Sequence, residues 1–338
     1  MIDTGQFTDL PPNDVDIDED DFYIEKFRLD ARDPQRPNRK PSHKQKQRDL
    51  EAMAQLAETA GLERGFQITY RPARFEESWL LSSLQPFYDR LLITDVLSRV
   101  KGGKEANVYL CRAEPATGLE WLAAKVYRPR SMRNLRNDWL YREGRELAVS
   151  ASGVNRRRDS RMTRALKNKT AFGQEIAHSS WILHENGALD KLHSAGAAVP
   201  KPFATGDNAI LMGFVGDETR PAPPLHEVAL DLDEVAPLFH EVMRNVELML
   251  QNGMIHGDLS AYNILYWQGK VTLIDFPQVT MSLSNPSAYA ILRRDVQRVC
   301  EYFAQYGMER DPARLTEQLW WRHVGIDPMR RPPEPEQR

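Results

Sequence analysis

The stretch His256–Phe276, HGDLSAYNILYWQGKVTLIDF, sets two carboxylates and a carboxamide among apolar residues. Asp258 precedes Asn263 by five positions, and Asp275 follows twelve positions after that. The flanking runs Ile264–Tyr266 and Val271–Ile274 read as two short strands. The turn between them, Trp267-Gln268-Gly269-Lys270, is short enough to place Asp275 beside Asn263. Polar groups at the ends of buried strands must be hydrogen-bonded or hold something. The hairpin is therefore a rigid mount for three functional groups.

Phosphoryl transfer needs phosphates held by cations, a metal held by hard oxygen ligands, and an oriented nucleophile. Magnesium takes one or two carboxylates with other oxygen donors and keeps several waters. Asn263 and Asp275 are ligands of that kind, and Asp258 suits an acid/base or orienting role. A lone His-Gly-Asp reads equally as a capping aspartate beside a structural histidine. An Asp, four residues, an Asn, then Ile-Asp-Phe after a hairpin is far more specific, and it matches the catalytic and metal-binding loops of kinases.

A nucleotide site needs a second half, and upstream residues supply candidates. Lys101-Gly102-Gly103-Lys104 joins two expected strands, and glycine lets backbone N–H groups approach phosphates. Val108 lies just beyond. A two-glycine turn is common in any hairpin, so position carries the argument. Some twenty residues on, LAAKVYR places Lys125 in a strand, where a lysine is costly to bury without a partner. The kinase pattern pairs such a lysine with a helix glutamate. Glu175 and Glu185 are both candidates; Glu185 is preferred because it shares a helix face with Ile182, Leu189 and Leu192. The run ILMGFVG suits a linker between lobes, with Met212 behind an adenine and the backbone of Gly213 and Val215 at its edge.

Organisation follows from composition shifts. Residues 1–50, acidic then basic and proline-bearing, lack apolar periodicity and read as a disordered charged tail, either solvated or docking a partner. Residues 51–90 read as a helical extension, with helices at 49–62 and 76–90, the second strained by Pro86. Strands are expected at Leu91–Val100, Ala106–Arg112 and Trp121–Tyr127, as an antiparallel meander. Residues 128–175 form an arginine-rich insertion, a solvated loop or a clamp on phosphate or RNA. A helix at 175–195, two strands around Gly206-Asp207, and helices at 233–252, 287–307 and 312–323 complete the pattern, with a disordered tail at 326–338. This predicts an α+β, bilobal, protein-kinase-like fold: a small antiparallel-sheet N-lobe over 91–212 and a mostly helical C-lobe over 213–325.

The chain has 338 residues, 41% hydrophobic, which is enough for two lobes with a core. A net charge of −3 gives no whole-protein pull toward nucleic acid or membrane. Two widely spaced cysteines argue for a reducing interior, and no run approaches the length of a membrane span. A cytoplasmic protein is expected.

These residues resemble the RIO family of atypical serine/threonine protein kinases, over roughly residues 80–305. GGKEANVY is similar to that family's phosphate loop, HGDLSAYNIL and LIDFPQ to its catalytic and metal-binding loops, and LRRDVQRVCEYF to the helix that follows. KEANVY resembles one branch of the family and IDFPQ the other, so a bacterial-type member is expected. The resemblance implies a kinase fold trimmed to its core. After Asp275 the chain runs straight into a helix, without a long activation segment or Ala-Pro-Glu. It also implies Mg²⁺ and ATP, Asp258 as catalytic aspartate, Lys125 as nucleotide-site lysine, Asn263 and Asp275 as metal ligands, and Asp275 as a transient phosphoryl acceptor. Autophosphorylation, an ATPase cycle and a protein substrate follow, with ribosomal particles or RNA as partners through basic segments at 31–48 and 128–169. Two alternatives use the same signals. One is a small-molecule phosphotransferase of the aminoglycoside-kinase type; the other is a nucleotide-dependent ribosome- or RNA-binding module without catalysis.

Overall fold

The computed structural model describes Phe66 and residues 68–103, 105–128 and 171–325. The tails, the helix expected at 49–62 and most of the basic insertion lie outside the described residues.

The first described helix, α1 (Arg74–Asp89), runs through Pro86 without a break. Strands β1 (Ile93–Gly102), β2 (Ala106–Ala113) and β3 (Trp121–Tyr127) follow as the expected meander, with β1 starting and ending two residues later than its sequence limits. Helix α2 (Ala171–Ser194) leads to β4 (Pro202–Thr205) and β5 (Ala209–Gly213). Together the strands make one five-stranded sheet in the order β1-β2-β3-β5-β4, every pairing antiparallel.

Alternation along β3 divides the sheet's faces. Ala124 and Val126 join Leu80, Leu84 and Phe87 of α1 in the core on one side. Tyr127 meets Ile182 of α2 and Ile210 of β5 on the other, and Lys125 shares that face. Helix α2 belongs to both lobes: Ile182 packs under the sheet, while Ala188, Leu189 and Leu192 join the large helical core. That is why its apolar residues do not fall on a single stripe.

The second lobe is built on α3 (Leu232–Gln251), α4 (Ala288–Ala304) and α5 (Pro312–His323). Phe239 of α3 meets Phe303 of α4 edge-on at 5.4 Å. Asp311 caps α5 by accepting from the N–H groups of Ala313 and Arg314 at 2.9 and 3.2 Å. Between α3 and α4 lie β6 (Met254–Ile255), the hairpin β7 (Ile264–Trp267) and β8 (Lys270–Leu273), and β9 (Thr280–Met281), which pairs with β6. From Asp275 the chain reaches α4 by way of β9 alone, so the long activation segment is indeed missing.

Candidate active site

Lys125 organises the cleft. Its ammonium lies 2.7 Å from Glu185 Oε1 and 2.5 Å from Asp275 Oδ1, so strand, helix and metal-binding loop converge on one charge. The lysine side chain is 12% exposed and Glu185 only 4%. Burial works against the ammonium, but the Asp275 and Glu185 carboxylates hold its pKa well above the ordinary lysine value. Partial desolvation likewise opposes ionisation of Asp275; the Lys125 charge outweighs it and lowers that pKa, with Lys101 adding to the positive field. Glu185 is thus the partner of Lys125, while the side chain of Glu175 lies outside the described residues. Sequence reasoning missed Tyr127, whose hydroxyl donates to the other oxygen of Glu185.

The helix carrying Glu185 is tied to the loop after Asp275. Trp181 Nε1 donates to Pro277 O at 3.3 Å, and His184 Nε2 lies 3.0 Å from Val279 O. A swing of this helix would break the ion pair and both contacts together.

Around the catalytic loop, His256 Nε2 is 3.1 Å from Ile274 O, while its Nδ1 accepts the Asp258 N–H at 3.3 Å. Burial pushes the imidazole pKa down, which favours the neutral ring this arrangement needs. Asn263 Nδ2 donates to Asp258 O at 2.8 Å and to its Oδ2 at 3.3 Å. The Ile274 N–H donates to Asn263 O at 3.0 Å, so the hairpin does place Asp275 next to Asn263. Asp275 has φ +70°, a left-handed conformation that costs a non-glycine residue about 1 kcal/mol and recurs at functional sites.

Gly257 is set by close backbone approach. Its φ is +87°, and a Cβ there would stand 2.3 Å from Gln278 O. Glycine is required because the metal-binding loop passes directly over it.

The phosphate-loop candidates sit at the top of the cleft. Val108 lies opposite both Lys101 and Lys125 in the ladder. Lys101 and Gly102 end β1, a Cβ on Gly103 would meet Ala106 O at 2.7 Å, and Lys104 lies outside the described residues. Asn107, another missed residue, anchors this turn. Its Oδ1 accepts from Gly103 N at 3.4 Å and Arg128 Nη2 at 3.1 Å, while its Nδ2 donates to Tyr109 Oη at 2.9 Å. Tyr109 in turn donates to the buried Glu76 of α1.

In the linker the structure specifies which backbone groups are already engaged. Met212 is partly buried against the cores on both sides, as a residue behind an adenine would be. The Gly213 N–H, however, donates to Lys201 O at 2.7 Å, and Val215 O accepts from Ala222 N at 2.9 Å. A purine edge would therefore have to meet the Gly213 carbonyl and the Val215 N–H. Both engaged groups hold this linker to neighbouring segments, a tertiary effect with no local signal.

A family model for the RIO domain matches residues 140–315, just over half of the chain. The chain belongs to the RIO family of serine/threonine-protein kinases. Within that family, RIO-type serine/threonine-protein kinase Rio1 of Thermoplasma acidophilum is 32% identical over 139 residues, covering 41% of this chain and 72% of that protein. Its Haloferax volcanii counterpart is 34% identical over 139 residues, 41% of this chain and 47% of that one. Human serine/threonine-protein kinase RIO1 is 29% identical over 220 residues, 65% of this chain but only 35% of its own length. The chain thus spans less than half of several relatives. Among solved structures, the Rio2 kinase–ADP/Mg²⁺–phosphoaspartate complex of Chaetomium thermophilum superposes with a TM-score of 0.50 at 19% identity, covering 79% of this chain and 74% of that one. At that identity the match shows the RIO kinase fold.

A further set of RIO-chain residues escaped sequence reasoning. Helix α4 presents Asp295 to the catalytic loop: its Oδ2 accepts the Gly257 N–H at 2.8 Å and its Oδ1 the Leu259 N–H at 3.2 Å. Burial pushes this carboxyl up to about 7. The Arg294 guanidinium donates to Gly257 O, and Arg298 Nη1 lies 2.7 Å from Asp258 Oδ1.

Proposed function

We propose that the protein is a Mg²⁺-ATP-dependent serine/threonine protein kinase that autophosphorylates, with an ATPase cycle when water is the acceptor. The observation that carries the reading is the Lys125 ammonium held between Glu185 and Asp275. It is the arrangement by which kinases fix a phosphate-binding lysine beside a metal-binding carboxylate. Among the described residues no group of three or more His, Cys, Asp or Glu could hold a metal by itself. One carboxylate and one amide oxygen suit a Mg²⁺ that arrives with nucleotide phosphates and retains waters. Asp275 is 42% exposed, so a ligand can reach its carboxylate, and Asn263 is next to it. Once bound, the ion would neutralise charge on the phosphates.

In this reading Lys125 and the glycine turn bind the phosphates, and Val108 and Met212 flank the base. The related Rio2 structure names a phosphoaspartate. Asp275 is our candidate for it: a carboxylate oxygen forms the new P–O bond as the bond to the β-phosphate oxygen breaks and ADP leaves. An acceptor hydroxyl, its proton directed to Asp258, then takes the phosphoryl group and restores the carboxylate. Protein acceptors fit the named relatives better than small molecules do. The chain passes from β9 at Met281 to α4 at Ala288, leaving no helical insertion there to hold a small acceptor. Ribosomal particles or RNA are proposed partners through the basic segments, almost wholly outside the described residues. Salt-dependent co-sedimentation with ribosomal subunits tests them. Two buried free thiols, Cys111 and Cys300, support a reducing, cytoplasmic setting.

The test is Asp275→Asn. Mg²⁺-dependent ATP turnover should fall at least about 100-fold, as when one transition-state electrostatic partner is removed. A hydroxylamine-sensitive label from γ-³²P-ATP should vanish from the chain. Wild-type turnover and an unchanged label in the variant would sink the assignment.

A further inference from the structure

Three residues on one face of α4 grip the catalytic loop atom by atom. Arg294, Asp295 and Arg298 fall at i, i+1 and i+4, within one turn of each other. Asp295 binds the N–H groups on either side of Asp258, Arg294 binds the Gly257 carbonyl, and Arg298 binds the Asp258 carboxylate itself. The backbone before and after the aspartate, and the side chain between, are thus set by one rigid helix. Asn263 takes the other carboxylate oxygen at 3.3 Å, so rotation of the Asp258 carboxylate is opposed from both sides.

Stability does not account for the Arg298–Asp258 pair. The two side chains are 39% and 37% exposed. A pair so open to water contributes about 0–1 kcal/mol. Holding one rotamer of a group that must point at an acceptor is another matter, because misplacement of a reacting group by about 1 Å can cost about 100-fold in rate. We propose that Arg298 is a positioning residue for phosphoryl transfer: it fixes the Asp258 carboxylate so that one oxygen faces the acceptor hydroxyl. The proposal rests on Asp258 as the group that receives that hydroxyl.

The experiment is a double-mutant cycle on the full chain. It reads single-turnover transfer from γ-³²P-ATP to the chain itself and to myelin basic protein, with melting temperature and nucleotide KM measured in parallel. Arg298→Gln should slow transfer about 10- to 100-fold. The KM for ATP should stay within about twofold, since interactions made only in the transition state leave ground-state binding alone. Arg298→Lys should recover part of the rate, and millimolar guanidinium should rescue Arg298→Ala, which a purely structural role would not allow. In an Asp258→Asn background the Arg298→Gln change should cost nothing further. A wild-type rate in Arg298→Gln overturns the proposal while leaving the Asp258 assignment standing. So does a full additional loss in the Asp258→Asn background. A wild-type rate in Asp258→Asn alone instead removes the assignment on which the proposal is built.

Discussion

Replacing Gly257 by alanine tests the packing of the catalytic loop against the metal-binding loop. Two costs combine. At φ +87° a side chain occupies left-handed backbone, at about 1–2 kcal/mol. The added Cβ would also stand 2.3 Å from Gln278 O and 3.0 Å from its carbonyl carbon. These are backbone atoms that no rotamer change can move, and overpacking of this kind costs about 1–3 kcal/mol. The sum is about 2–5 kcal/mol, or roughly 4–20 °C in melting temperature at about 2–4 °C per kcal/mol for a domain of this size. Gly118 is the control. Its φ is +72°, yet a Cβ there has nothing within 4 Å, so Gly118→Ala carries the backbone cost alone. Differential scanning calorimetry of both variants should find Gly257→Ala melting about 2–12 °C below Gly118→Ala, the share of the overpacking alone. If the loops part to relieve the clash, the stability loss shrinks and phosphoryl transfer falls instead, because Asp258 and Asp275 ride on the two parting segments. Equal melting temperatures together with wild-type transfer in Gly257→Ala would refute the reasoning.

Two other perturbations read the site's electrostatics. Glu185→Gln removes the charge opposite Lys125 but leaves Asp275 in place, so unfolding free energy in urea should drop by about 1.5–3 kcal/mol and ATP affinity should weaken; unchanged values would mean Asp275 alone suffices. Asp295 titrates near 7 when folded because burial disfavours its charge, against about 3.9 when unfolded. The folded state therefore binds the proton more tightly, and stability falls as pH rises from about 4 to about 7, by up to about 4 kcal/mol at 1.36 kcal/mol per pKa unit. Asp295→Asn does not titrate, so the stability of the wild type relative to this variant should decline across that window; a flat difference would exclude the buried titration.

Much of the site was legible because its geometry is local in the chain. The spacing of Asp258, Asn263 and Asp275 around a four-residue turn dictates their proximity, and the ladder in which Val108 faces Lys125 follows from a plain meander. Glu185 was legible for a subtler reason: a buried strand lysine needs an acid, and only one candidate shared a face with the apolar residues of its helix. What stayed hidden depends on segments that meet only when packed. Nothing near Gly257 in sequence announces the Gln278 carbonyl above it, and nothing near Gly213 announces that Lys201 takes its N–H. Asp295 did offer a signal. It lies between Leu292 and Val296, on the apolar face of an otherwise amphipathic helix, where a carboxylate must find donors or carry a proton. Helix-interior N–H groups are already used by the helix itself, so the donors had to come from elsewhere in the chain. A loop rich in function and poor in regular structure, such as 256–260, is where unpaired N–H groups remain. From that one buried acid the anchoring of the catalytic loop on α4 could have been inferred. The place of Arg298, one turn further along the same face, would have followed from it.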